Sequence, residues 1–553
     1  MIEKRENRAM KGGDILIECL KAQGVQHIFG MPGTQNIQIY DSLLRQGSDT
    51  IKHYLVRHEN AATLMADGYA RSSGEVGVAL TVPGPGASNA STGLLEALTD
   101  CVPVLLITGQ SDSNFYNRDP SKMFHGLDQM RFFEPITKYC DIAKTIADIP
   151  VVVGNAFQAM KTGRPGPTML EFPMDVITGE DTVTIPDRIQ RHFQEPAKAD
   201  DVQLVVQHLN KASSPIILAG SAVIHSCAMS ELQNLAEKLN APVIVTRCAK
   251  GALSEDHPLA LQNISDFQAK KAMQAADCTL AIGCRFTSID TRNWSFEPPR
   301  PLVQIDEDPA EINREYPCDL GITGDLKSSL QILTDQIETG KSNWSHVLSQ
   351  IQEEFATQPH LPILPELRRV LSEDAIVAID VHSIGYASFT EFPVYHPQTF
   401  LYPCIGVTLG YAFPAAIGAK IAHPDKPVVC FTGDGGFMMG AAELATAMMY
   451  GINVVTVVVN DGALTAIKGS QQKGCDGRTI DTDLYNPDFI QFAKSFGAYA
   501  ARVDDLANFE EMLKEALESK LPAIIEVPMQ DKQNNLIDII GWLQPEPLRK
   551  TQF

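Results

Sequence analysis

The chain has 553 residues and a mass of 60.4 kDa, room for three or four domains at roughly 150 residues each. Hydrophobic residues make up 44% and charged residues 20%, an ordinary globular balance that excludes disordered, collagen-like and coiled-coil chains. Lys and Arg number 45 against 67 Asp and Glu, a formal net charge of −22, and with no basic cluster to offset it the composition argues against nucleic acid or a membrane surface as a partner.

The N-terminal stretch MIEKRENRAMKGGD is charged and has no apolar signal-peptide core. The longest apolar run, about Ile452 to Val459, is too short to span a bilayer. The eleven cysteines are scattered and never spaced Cys-x-x-Cys. That usage fits a reducing compartment and a cytoplasmic protein.

Along the chain, short β-branched runs alternate with helical patterns. Strands are expected at His27 to Phe29, His53 to Arg57, Val76 to Val82 and Pro103 to Thr108, with helices at Asn60 to Ser72 and Ser88 to Leu98 between them. A polar linker follows at about Gln190 to Asp201. The rhythm resumes with strands at Pro215 to Leu218, Pro242 to Thr246, Cys278 to Ile282 and Leu302 to Ile305, and a helix at Met229 to Leu239. A polar helical stretch from Gly340 to Pro365 ends in a proline-containing connection. A third alternation has strands at Ala375 to Asp380, Pro427 to Thr432, Asn453 to Asn460 and Pro522 to Val527. Strict alternation predicts an α/β protein of three consecutive doubly wound parallel-sheet domains. Their expected spans are 1–185, 198–340 and 360–535, with a tail at 536–553.

The strongest chemical signal lies in the third unit. Two apolar strands end in Gly433-Asp434-Gly435-Gly436 and in Asn460-Asp461-Gly462, and a helix is expected at Ala441 to Met449. Ligands of open parallel sheets bind beyond the carboxyl ends of strands, so Asp434 and Asn460 are expected to converge. Gly435 and Gly436 would let backbone N–H groups approach a phosphate, and a carboxylate with an amide oxygen suits magnesium. Alone, Gly-Asp-Gly reads as a turn and Asn460 as a helix cap; together, at successive strand ends, they are harder to dismiss.

This pair resembles the diphosphate and metal motif of thiamine diphosphate enzymes of the acetolactate synthase and 2-oxo acid decarboxylase superfamily. Further matches occur in order at Gly24 to Gly33, Arg57 to Ala62, Met65 to Arg71, Gly84 to Asn89, Arg164 to Pro167, Gly406 to Gly418 and Asn486 to Phe489. The resemblance implies a thiamine diphosphate-binding fold twice, flanking a Rossmann-like central domain. It implies Mg2+ held by Asp434, Asn460 and the Gly462 carbonyl. Glu59 becomes the catalytic glutamate that hydrogen-bonds the aminopyrimidine, a role requiring a dry pocket that raises its proton affinity. The Val407 carbonyl accepts from the cofactor's 4′-amino group, and Leu409 is the wedge beneath the bent cofactor, holding that group near the reacting carbon.

Three departures matter. His125 stands where acetolactate synthases usually carry Gln, and is a candidate for proton transfer or substrate binding. Leu464 to Ser470 replaces the pattern that shapes the acetohydroxyacid pocket, so the substrate need not be plain pyruvate. In the central unit Arg285 and Asp306 fit the flavin pattern, but the glycines are mostly missing, which argues against FAD. The activity implied is decarboxylation of a 2-oxo acid and joining of the product to a second carbonyl. The alternatives are simple decarboxylation to an aldehyde, a flavin-dependent oxidase and a non-catalytic regulatory homologue. The resemblance also implies a homodimer or homotetramer in which Glu59 of one subunit faces Asp434 of another.

Overall fold

The computed structural model describes residues 9–529, apart from 192–194, 265, 341, 343 and 359. The tail expected at 536–553 lies outside the described residues. Three six-stranded sheets are present, every pairing within them parallel, beside a two-stranded antiparallel pair, Met10–Lys11 with Glu180–Asp181.

The first sheet contains β1 (His27–Gly30), β2 (Lys52–Leu55), β3 (Gly77–Thr81), β4 (Val104–Gln110), β5 (Tyr139–Ile142) and β6 (Thr168–Pro173), in the order β2-β1-β3-β4-β6-β5. The second contains β7 (Pro215–Ala219), β8 (Val243–Val245), β9 (Ala260–Asn263), β10 (Cys278–Ile282), β11 (Leu302–Asp306) and β12 (Leu320–Thr323), in the order β9-β8-β7-β10-β11-β12. The third contains β13 (Ile376–Ile379), β14 (Phe400–Leu401), β15 (Val428–Gly433), β16 (Val455–Asn460), β17 (Tyr499–Arg502) and β18 (Ala523–Pro528), in the order β14-β13-β15-β16-β18-β17. The first and third sheets therefore share one topology, and the middle sheet has the doubly wound 3-2-1-4-5-6 order of dinucleotide-binding folds. Helices cover both faces, which is why central strands such as β4 and β15 are buried throughout and largely apolar, with polar residues only toward their carboxyl ends. No described helix is long and apolar enough to cross a membrane.

Three expected elements differ. The helix placed at Ala441 to Met449 begins earlier: Asp434–Gly440 is helical, Ala441–Glu443 is a tighter turn, and Leu444–Tyr450 completes it. A carboxylate in the first turn favours that start despite two glycines, by its interaction with the helix dipole. The Gly340 to Pro365 stretch is two helices, Trp344–Ala356 and Ile363–Val370, with Pro365 inside the second. Proline is tolerated there because first-turn N–H groups have no partner within the helix. The Ser88 to Leu98 helix is interrupted at Ala90, between Pro85–Asn89 and Ser91–Asp100.

The first and third sheets share a core through helices Glu59–Ser73 and Ala412–Ala422. Glycines let the two backbones touch: a Cβ on Gly68 would stand 2.1 Å from the Ala415 carbonyl oxygen, and one on Gly418 1.9 Å from that of Met65. At the same contact the largely buried Arg71 binds Asp67 (2.6 Å) and Asp100 (2.8 Å), and Tyr411 donates to Asp67 at 2.8 Å. Since the Met65 oxygen is backbone and cannot move aside, Gly418→Val should cost about 1–3 kcal/mol or more. A urea midpoint equal to that of the unsubstituted protein would contradict this packing.

Candidate active site

β15 and β16 are neighbours, so the residues at their carboxyl ends emerge side by side. Asp434 is buried at the start of its helix, and its Oδ2 accepts from the Gly462 N–H at 3.1 Å and from Asn486 Nδ2 at 2.5 Å. The same Asn486 nitrogen donates to Asn460 Oδ1 at 3.1 Å. Asn460 Nδ2 donates to Glu526 at 2.8 Å, which turns its oxygen toward Asp434. Asp434 and Asn460, paired in the sequence reading, are thus brought within a hydrogen bond of one point. Burial, with Asp461 nearby, pushes the Asp434 carboxyl above its ordinary range. An anionic carboxylate and an amide oxygen aimed at one point are a hard-oxygen set that fits a divalent cation. The Gly462 carbonyl accepts from the Leu484 N–H at 2.7 Å, which leaves one lone pair.

Asn486 is the member that residue spacing did not single out. It reaches the site because segment 462–464 pairs with 482–484, around the Ala463–Asp483 bridge. Gly435 and Gly436 permit close packing: a Cβ on Gly435 would lie 3.0 Å from the Leu464 side chain, and one on Gly436 3.0 Å from Asp380 Oδ2. His382, beside Gly433, is also new. Its Nε2 is buried without a partner among the described residues, and burial holds the ring neutral, down to about 3.

The segment carrying Val407 and Leu409 is held by three carboxyl groups from two sheets' surroundings. Asp100 accepts from the Cys404 and Ile405 N–H groups (2.8 and 3.0 Å) and Glu96 from Thr408 Oγ1 (2.6 Å). Asp380, at the end of β13, accepts from the Gly410 and Ala412 N–H groups at 3.0 and 3.3 Å. Between these anchors Val407 adopts φ 51°, a left-handed conformation costly for a β-branched residue and maintained only by its surroundings.

Glu59 is the first residue of helix Glu59–Ser73, after a turn in which the Arg57 and His58 N–H groups donate to Glu443 at 2.9 and 3.1 Å. Its carboxylate is half-buried and accepts from Asn89 Nδ2 at 3.0 Å. A Cβ on Gly86 would stand 3.1 Å from Glu59 Oε1, and one on Gly84 2.5 Å from the His125 carbonyl oxygen. Glu59 and His125 therefore flank one turn, Gly84-Pro85-Gly86. Lys468 pairs with Asp483 at 2.6 Å on the surface.

The chain matches three family models: the N-terminal, central and C-terminal domains of thiamine pyrophosphate enzymes, over residues 10–132, 202–333 and 382–527. It belongs to the thiamine pyrophosphate enzyme family. Within this family it is 35% identical to a probable acetolactate synthase large subunit of Methanocaldococcus jannaschii, over 98% of both chains. It is 32% identical to an acetolactate synthase of Arthrospira platensis over 95% of both, and 30% identical to the isozyme 3 large subunit of Escherichia coli over 92% of both. In this thiamine pyrophosphate enzyme Arg285, which fits the flavin pattern, donates to the Thr99 carbonyl at 2.6 Å, and Asp306, which fits it too, pairs with Arg164 at 3.2 Å.

Burial and the neighbouring Asp100 raise Glu96 to about 9. Between about 4.5, its unfolded value, and about 9 the folded chain binds the extra proton, so this group makes stability fall as pH rises through that window. Glu96→Gln, which copies the neutral form, should remove that part of the decline in a melting-temperature profile. A profile as steep as the unsubstituted protein's would show Glu96 to be ionised in the fold.

Proposed function

We propose that the protein is a thiamine diphosphate- and Mg2+-dependent carboligase of the cytoplasm. It decarboxylates a 2-oxo acid and joins the carbanion-equivalent fragment that remains to a second carbonyl compound, as the names of its acetolactate synthase relatives suggest. The observation that carries this is the convergence of Asp434 and Asn460 on one point, Asp434 starting a helix against which the segment of the strained Val407 packs at Gly410. When bound, thiamine diphosphate supplies the electron sink that stabilises the carbanion left by departing carbon dioxide.

The chain's own residues then have separate tasks. Asp434, Asn460 and the Gly462 carbonyl hold the metal. The Val407 carbonyl and the Leu409 side chain orient the cofactor, and Glu59 holds and returns a proton at its carboxyl oxygen. That last task needs a dry pocket, yet Glu59 is half-buried in the single chain. Large apolar side chains lie exposed beside both half-sites: Phe124 next to His125, Met438 and Met439 on the Asp434 helix, and Tyr485 next to Asn486. A second copy covering them would bury Glu59 and place it opposite the partner's metal residues, in a homodimer or homotetramer. Carboligation is redox-neutral, so its chemistry calls for no electron transfer to a flavin.

Turnover of a 2-oxo acid panel with thiamine diphosphate and Mg2+, followed by carbon dioxide release and mass spectrometry, tests the proposal. Acetolactate from pyruvate identifies the synthase reaction. A larger acid consumed in place of pyruvate assigns the His125 and Leu464 to Ser470 departures to substrate choice, and an aldehyde alone makes the protein a simple decarboxylase. No turnover of any 2-oxo acid would overturn the proposal. Asp434→Ala should weaken Mg2+-dependent cofactor binding in calorimetry by at least about 100-fold; unchanged affinity would contradict the metal assignment.

A further inference from the structure

One hydrogen-bonded pair in the Glu59 half-site has no task in the scheme above. Gln35 follows β1 and is 6% exposed, and its backbone is packed where a Cβ on Gly109 would stand 2.2 Å from its carbonyl oxygen. Its side chain has two partners. Nε2 donates to the Phe124 backbone oxygen at 3.2 Å, and Oε1 lies 2.9 Å from His125 Nδ1.

These contacts determine a proton position. A backbone oxygen only accepts, so the Gln35 NH2 must face Phe124 and its oxygen must face His125. An amide oxygen also only accepts, so His125 Nδ1 must carry the hydrogen. Neutral His125 is then the Nδ1–H tautomer, with its free lone pair on Nε2, for which no protein partner is found among the described residues. The backbone adds to the constraint: His125 is held at φ 55°, against Gly84. Glu59 lies on the other side of the same turn.

We propose that Gln35 is a positioning residue that locks His125 in this tautomer, so that Nε2 is the acid–base atom serving a substrate oxygen. The proposal rests on the carboligase reading. As the second substrate's carbonyl carbon forms the new carbon–carbon bond, its oxygen gains the electron pair. The Nε2–H of the imidazolium gives that oxygen its proton, leaving neutral Nδ1–H imidazole. Water returns a proton to Nε2, matching the one proton the overall reaction consumes when carbon dioxide leaves a carboxylate. The Gln usual at this position in acetolactate synthases titrates no proton, so the pair Gln35 and His125 gives this chain a proton donor there.

Three variants of the full-length protein separate this role from mere loop support. Gln35→Glu still accepts from Nδ1–H but loses the donor to Phe124, whereas Gln35→Leu loses both bonds. Gln35→Glu should keep kcat within about tenfold, and Gln35→Leu should lower it about 10- to 100-fold, part of what general acid–base catalysis contributes. Thiamine diphosphate affinity should stay within about threefold in both. Added to His125→Asn, Gln35→Leu should have no further effect, since the two act as one unit. Equal losses in the two Gln35 variants, or independent losses in the double variant, would overturn the proposal. Ring 15N spectra, with the His125 signal identified by its disappearance in His125→Asn, read the tautomer without turnover. Protonated Nδ1 is expected, and becomes mixed in Gln35→Leu; protonated Nε2 in the unsubstituted protein would refute the lock. If no 2-oxo acid is turned over but the spectra show the Nδ1–H form, the carboligase reading fails and the positioning stands.

Discussion

Arg71 lies largely buried where helices Glu59–Ser73 and Ala412–Ala422 meet; its counter-ions come from the first unit, and the third unit adds the Tyr402 carbonyl, which accepts from it at 3.2 Å, and the ring of Tyr411. Asp67 and Asp100 belong to the first sheet's helices, while Tyr411, which donates to Asp67, belongs to the third sheet's surroundings. Removing one partner from such a network leaves a buried charge uncompensated, at a cost of about 3–5 kcal/mol. The glycine contacts at Gly68 and Gly418 let this network form, because any side chain there would separate the helices. Docking of the two similar sheets is therefore specific in register, and everything at the candidate site inherits that register.

The same helix that supplies Asp100 also supplies Glu96, and both reach the segment from Cys404 to Thr408. Asp380 grips the segment's other end. Val407 is thereby kept in a conformation that the residue would not choose alone. The backbone carbonyl expected to meet the cofactor is set by carboxyl groups of two sheets' helices and strand ends, so docking and cofactor geometry are one problem. Burial raises both Glu96, to about 9, and Asp380, to about 6. Glu96 consequently acts near neutral pH as an uncharged hydrogen-bonding group.

Much of this was legible in the sequence. Asp434 and Asn460 follow continuous apolar strands and precede glycines, a pattern that a parallel sheet converts directly into proximity. The resemblance along the chain anticipated the family and the three α/β units. Other residues were not legible as members of the site, even where, as at Asn486, they lay in a matched segment. Asn486 lies 26 residues beyond Asn460 and reaches it through a loop pairing, and Glu96 and Asp380 look like any acid on a helix or strand end. The helix at Asp434 was hidden because Gly435 and Gly436 have low helix propensity, which tertiary packing against Asp380 and Leu464 overrides. Edge strands such as β14 and β17 were missed because they are short and partly exposed, without a clean alternation. The Gln35–His125 pair is a contact across 90 residues, invisible to spacing.

In the proposed enzyme Glu59 of one chain works with Asp434 of another. Hybrid oligomers test it most directly, prepared from Glu59→Gln chains with one affinity tag and Asp434→Ala chains with a second and isolated by both tags. Each variant alone should be inactive. A hybrid pair has one site carrying both substitutions and one carrying neither, so carbon dioxide release from the productive 2-oxo acid should return to about half the unsubstituted rate per pair. Hybrids as inactive as their parents would show that Glu59 and Asp434 serve a site within a single chain.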